Sequence, residues 1–203
     1  MTIIRELGIV NSYYIKTIAA LHSRAFPSFF LTQLGEGFLS TLYKGYLEDQ
    51  DSGIIVAEVK GKLVGFLAYS NDYPKFFKFL IKNHVIKFAL YSIGAVIKHP
   101  SFIKRLLGAL NKSEAVIKNE KYVEIASICV DPEIENKGVG TELIQYLKAI
   151  VDFNEYSYIN LETDAVENNK VNDFYLRNGF VLARVFTTPE GRKMNEYRFK
   201  GEN

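Results

Sequence analysis

Val130-Asp131-Pro132-Glu133-Ile134-Glu135-Asn136-Lys137-Gly138-Val139-Gly140-Thr141 joins a β-rich run directly to an amphipathic helical one. Two glycines at a spacing of two let backbone approach a ligand closely, because no Cβ intervenes. A helix opening at Gly138 has N–H groups with no intrahelical partner, and these together with the helix dipole favour an anion. Lys137 adds a nearby positive charge and Thr141 a hydroxyl. Chemically this is a phosphate cradle, although glycines at a tight strand-to-helix turn are also ordinary loop chemistry. The lysine–hydroxyl ending of a P-loop and the GxGxxG of a dinucleotide fold are both missing.

Working outward, Tyr122–Val130 reads as a strand and Gly138–Phe153 as a helix with one apolar face. Tyr158–Glu162 is a second strand, and Asn168–Arg177 a second helix with Asn178-Gly179 as its C-cap. Phe180–Thr187 and Asn195–Lys200 form a hairpin around Pro189-Glu190-Gly191. Upstream, Ile3–Leu7 predicts a short first strand. A helix capped by Asn11 or Ser12 runs to about Arg24, where Pro27 stops the chain from continuing it. Leu34, Phe38, Leu42 and Tyr46 recur every four residues and mark another helix. Ile54–Val59 and Leu63–Tyr69 are strands joined at Lys60-Gly61-Lys62. After Pro74 the period turns helical through Phe77, Leu80, His84, Phe88 and Tyr91, with a break at His99-Pro100-Ser101 and a further helix over Phe102–Leu110. The apolar run Phe88–Ile97 is too short for a membrane span and reads as a helix buried in the core. This order of elements predicts one α/β domain over residues 1–203, with helices covering a sheet.

Two groups of residues together resemble the GNAT N-acetyltransferases. The first is Val130-Asp131-Pro132 followed by Gly138-Val139-Gly140, which is similar to that family's acetyl-CoA loop after a strand ending Val-x-Pro. The second, and more specific, is Asn168 followed by Val171, Phe174-Tyr175 and Gly179-Phe180. The clear resemblance covers roughly Tyr122–Phe186. It departs at Glu135, where the family usually has Gln or Arg, and at Asn136, where Gly is common. An acid facing the phosphates would weaken binding, whereas one turned to solvent would cost little.

The resemblance implies a mixed, mostly antiparallel central sheet flanked by helices, with residues of about 72–120 as a basic helical insertion. It implies acetyl-CoA as co-substrate and a direct attack by a primary amine within a ternary complex. The cofactor would be held by Ile128 and Val130 on the strand, by Glu135, Asn136, Lys137, Gly138, Val139, Gly140 and Thr141 in the loop, and by Asn168. A backbone N–H near Ile128 would polarise the thioester carbonyl. Tyr175 is the candidate acid for the departing thiolate, and its other reading is a core aromatic. Asn168 has a second reading as a helix N-cap. Glu124 matches the base of the histone-acetylating branch, and is otherwise an exposed strand residue, with ordered water serving instead.

Composition narrows the rest. Cys129 is the sole cysteine, flanked by Ile128 and Val130, and reads as a small buried hydrophobe. One cysteine excludes an internal disulfide, and His22, His84 and His99 lack metal-ligand spacing, so no metal is expected. A cytoplasmic setting is expected from this and from the N-terminus, where Glu6 and Asn11 interrupt any signal pattern. Net charge is only +2, but Pro74–Lys118 holds nine Lys/Arg against Glu114, leaving that stretch at +8 and the remainder at −6. Such an insertion suits a lid for an anionic small-molecule amine, such as an amino-sugar nucleotide, or contact with an anionic membrane. No nucleic-acid motif accompanies it. Competing readings are a non-catalytic acyl-CoA sensor, an enzyme acting on protein N-termini or lysines, and a membrane-associated acyltransferase using longer chains.

Overall fold

Ile54, Ile55, Val56 and Ala57 are all fully buried, which is the mark of a strand covered on both faces. They lie in β2 (Ser52–Val59) of a computed structural model that describes residues 1–98, 120–134, 138–189 and 191–201. β1 (Thr2–Glu6) lines one edge of β2, and β3 (Lys62–Ser70) the other, both antiparallel. The β2–β3 hairpin turns on Lys60 and Gly61, whose φ angles of 51° and 74° are the positive pair that a tight hairpin turn demands.

β3 pairs antiparallel with β4 (Tyr122–Val130), and β4 runs parallel to β5 (Tyr158–Asp164). β7 (Lys193–Phe199) follows, antiparallel to β5, and β6 (Val181–Thr187) closes the far edge. The seven-stranded order is therefore β1-β2-β3-β4-β5-β7-β6, mostly antiparallel as expected. The parallel β4–β5 pair needs a crossover, and α5 (Val139–Ile150) supplies it.

Alternation along the strands splits the core in two. Ile54, Val56, Phe66 and Cys129 face α1 (Ser12–Ala25), α2 (Phe30–Gln33), α3 (Glu36–Glu48) and α4 (Tyr73–Lys98), packing on Ile18, Leu21, Leu39 and Phe76. Ile55, Leu67, Val123 and Ile125 face α5 and α6 (Asn169–Arg177), packing on Leu143, Leu147 and Phe180. Leu143, Ile144 and Leu147 are fully buried, and each contributes about 1.5–3 kcal/mol by leaving water.

One irregularity shapes everything downstream. Ala68 pairs with Ser127 but Tyr69 with Ile125, so Ala126 is an extra residue on β4. Pairing between β4 and β5 stops at Ile125–Leu161. Beyond it β4 stays with β3 while β5 follows β7 through Asp164, and the sheet opens into a wedge.

The reading of Phe88–Ile97 as a buried helix is not what the fold contains. That run is the second half of α4, whose outward side chains Leu90 and Ile97 are 63% and 74% exposed. Periodicity gave a helix correctly, but an apolar helix pattern does not say which faces are covered. The expected helix Phe102–Leu110 lies outside the described residues.

Candidate active site

Hydrogen bonding on the closed edge of β4 fixes what its open edge presents. Asp131 N–H donates to Val64 O at 2.8 Å. Antiparallel strands alternate between hydrogen-bonded and outward-facing pairs, so Cys129 and Ser127 also turn their backbone groups to β3. The N–H and C=O of Ile128 and Val130 consequently face the wedge, where β5 no longer pairs. Their side chains are half-buried in the same cluster as Tyr175, Val139 and Leu143.

At the mouth of the wedge, α5 begins without a side-chain cap. Gly138 sits at φ 81°, a left-handed conformation that glycine adopts without strain. The first intrahelical bond is Glu142 N–H to Gly138 O, so the N–H groups of Val139, Gly140 and Thr141 precede any helical partner. Gly140 has a different reason to be glycine. A Cβ there would meet the Phe174 ring at 3.1 Å and Val130 Cγ2 at 3.7 Å, so its bareness lets α6 close against α5. These groups suit a pyrophosphate on the helix N-terminus and an extended amide-bearing arm along the wedge. Glu135, Asn136 and Lys137, expected in the same loop, lie outside the described residues.

Tyr175 is buried among Phe174, Phe180 and Tyr197, with ring centroids 5.3–5.9 Å away. Its hydroxyl has no hydrogen-bond partner among the described residues, and burial raises its pKa above the ordinary phenol value. The proton is thus retained at neutral pH. The aromatic-core reading and the functional one are both compatible with this position.

Asn168 occupies the N-cap position of α6 but does not cap it. Its Nδ2 donates to Thr163 Oγ1 at 2.9 Å and Asp164 O at 3.1 Å, at the end of β5. Asn172, one turn later, ties the same corner together. It donates to Asp164 O and Asn168 O, and accepts from Asn195 and from the Tyr197 hydroxyl at 2.9 Å. Sequence reasoning passed over Asn172, although a poor helix former one turn into α6 is a signal that its side chain is engaged elsewhere.

Glu124 is buried, not an exposed strand residue. It lies one residue before the β4–β5 pairing ends and accepts from Asn160 Nδ2 at 2.7 Å. Asn160 is fully buried and its Oδ1 has no partner among the described residues. Glu124 alternates with Val123 and Ile125, so it faces α3 and α4, where burial above all, with the Glu124 charge adding to it, raises the pKa values of Tyr46 and Tyr73. Glu124 and Tyr175 therefore stand on opposite faces of the sheet, with the wedge between them.

On the Glu124 face a second polar chain reaches β4. His22 Nδ1 lies 2.6 Å from the Tyr43 hydroxyl, which donates to Ser127 Oγ at 3.4 Å. Phe26 and Phe29 pack against the His22 ring at 5.1 and 6.1 Å. Burial lowers the His22 pKa to about 4, and its buried Nε2 has no partner among the described residues. Arg24, unassigned from sequence, pairs with Asp131 at 2.8 Å and ties the end of α1 to the loop. Cys129 is buried as expected, its thiol pushed up to about 12 by burial, which leaves no thiolate for nucleophilic work.

Comparison with known proteins agrees with this fold. No curated protein sequence matches the chain. Among solved structures, an N-acetyltransferase from Staphylococcus aureus Mu50 superposes with a TM-score of 0.61 at 14% identity, over 98% of each chain. The ribosomal-protein-S18-alanine N-acetyltransferase of Escherichia coli gives 0.58 at 14% identity, over 100% of this chain and 98% of that one. A Bacillus anthracis protein assigned as a streptothricin acetyltransferase, in complex with acetyl coenzyme A, gives 0.51 at 16% identity, over 79% and 68%. At such identities these likenesses speak for the fold alone. Residues 15–180 match the acetyltransferase (GNAT) family itself, and the chain is a member of that family.

Proposed function

We propose that this chain transfers acetyl from acetyl-CoA to a primary amine of a small molecule by direct attack in a ternary complex. The observation that carries the reading is the open edge of β4, where the backbone groups of Ile128 and Val130 face a wedge that ends at the uncapped start of α5. The N–H groups of Val139, Gly140 and Thr141 take the pyrophosphate. Ile128 and Val130 pair with the pantetheine arm, and the Ile128 N–H polarises the thioester carbonyl. Asn168 stands at the end of β5 to meet the acyl region.

The amine approaches from the α3/α4 face. Glu124 collects its proton directly or through water, with Asn160 orienting the carboxylate. As the new C–N bond forms and the C–S bond breaks, Tyr175 protonates the leaving thiolate from the other face. An anionic acceptor such as an amino-sugar nucleotide, suggested by the charge of residues 74–118, would find little help from α4. Lys78 and Lys82 project from the side opposite its buried residues Leu80 and His84.

Tyr175→Phe tests the assignment. Turnover should fall by about 10²–10⁴-fold while acetyl-CoA binding is retained. Unchanged turnover would return Tyr175 to the aromatic core. A wild-type protein that binds acetyl-CoA but acetylates no amine would favour the sensor reading instead.

A further inference from the structure

α4 carries Lys75, Lys78, Lys82, Lys87 and Lys98 and no Asp or Glu along its 26 residues. Its inner stripe advances by one turn at a time through Phe76, Leu80, His84, Phe88 and Ser92. Phe76 and Leu80 join the core, Phe88 packs on Phe38 at 4.6 Å, and His84 Nε2 meets Glu48 at 2.7 Å. The helix is therefore strapped along the domain over its length.

At 3.6 residues per turn, the opposite arc holds Lys75, Lys78 and Lys82 in its first half and Val85, Ile86, Leu90, Ile93 and Ile97 in its second. These five apolar residues are 50–74% exposed. They extend over about 18 Å of helix. A surface helix ordinarily places polar residues on that arc, and a contiguous apolar strip marks a contact site.

We propose that this outward arc of α4 is a docking surface for an anionic lipid bilayer, with the lysine end at the headgroups and the Ile97 end set into the acyl boundary. Charge selects this occupant. Lys78, Lys82 and Lys87 have no carboxylate partner among the described residues, and the stretch around them is strongly basic. A second copy of this arc would bring further lysines and no carboxylate to meet them, whereas anionic headgroups complement them and the lysine stems lie along apolar surface. By length and composition alone α4 is apolar enough to cross a membrane. Its inner stripe, held by Phe38, Glu48 and the core, makes it lie on the bilayer instead. This contact is separable from acetyl transfer, since Leu90 and Ile93 lie on the exposed side of α4, turned away from the sheet and the wedge.

The test is co-sedimentation of the purified chain with vesicles of phosphatidylcholine alone and of phosphatidylcholine mixed with phosphatidylglycerol. The wild type should pellet with the mixed vesicles. Lys78→Gln with Lys82→Gln should weaken that association about thirtyfold, at roughly fivefold per lysine. Leu90→Glu with Ile93→Glu should abolish it while acetyl-CoA binding is unchanged, which keeps a folding failure distinguishable. Wild type remaining in the supernatant with every vesicle would overturn the proposal. So would pelleting that ignores the Leu90→Glu/Ile93→Glu change. A lipid-free dimer that becomes monomeric in that variant would give the arc to a second copy and equally overturn it.

Discussion

The two edges of β4 are made from the same nine residues and do opposite things. Toward β3, pairing runs from Ser70–Glu124 to Gly65–Val130, interrupted once by the extra Ala126. Toward β5, it lasts from Tyr122 to Ile125 and then stops. Main-chain groups buried in a fold are almost always paired, so an edge left open beside buried side chains is a place kept for a partner. Here the partner proposed is an amide-bearing chain, which would complete the ladder that β5 abandons. The closed edge supplies stability and the open edge supplies chemistry.

That division can be broken by substitutions that should act on one edge and not the other. Leu67 is fully buried opposite Ile128 on the closed edge. Leu67→Ala should cost about 2–5 kcal/mol in denaturant unfolding and leave turnover per folded molecule nearly unchanged. A loss of turnover larger than the loss of folded protein would mean the two edges are not separable.

A somewhat smaller effect sharpens the comparison on the acceptor face. His22 is held neutral in the fold with its pKa lowered to about 4, against an ordinary 6.5 in the unfolded chain. The unfolded state therefore takes up the proton first. The contribution is complete above pH 6.5 and is lost as pH falls towards 4, by at most about 3 kcal/mol. Unfolding midpoints measured across that window should drop in the wild type and drop less in His22→Leu. Equal slopes would show that His22 is not the group responsible.

Much of this arrangement is legible in the sequence, for identifiable reasons. The strand, loop and helix around Val130–Thr141 are marked by a change of hydrophobic period and by glycines whose conformational demands are local. The tight turn at Lys60-Gly61 is likewise a local event. The wedge is implied by the family resemblance but not legible in the residues themselves, because its cause is a bulge at Ala126, where neither Gly nor Pro marks the extra residue. Nor is the direction of α4. Leu90 and Ile97 carry the same period whether a core covers them or nothing does. Asn168 stands at the start of a helix, as its residue type suggests, but its side chain turns to Thr163, a tertiary choice that capping rules do not foresee. Asn160, polar between Ile159 and Leu161 in a buried strand, was a readable sign of a partner, and that partner is Glu124.

The most direct test of the central claim is the thermal midpoint of the purified chain as acetyl-CoA is titrated. If the open edge of β4 and the start of α5 hold the cofactor, ligand at about 100 times its dissociation constant stabilises the fold by roughly 2.7 kcal/mol, a plainly measurable rise. Gly140→Leu, which drives a side chain into Phe174 where α5 meets α6, should blunt that rise. No rise at millimolar acetyl-CoA would contradict the account, and the wedge would then need another occupant.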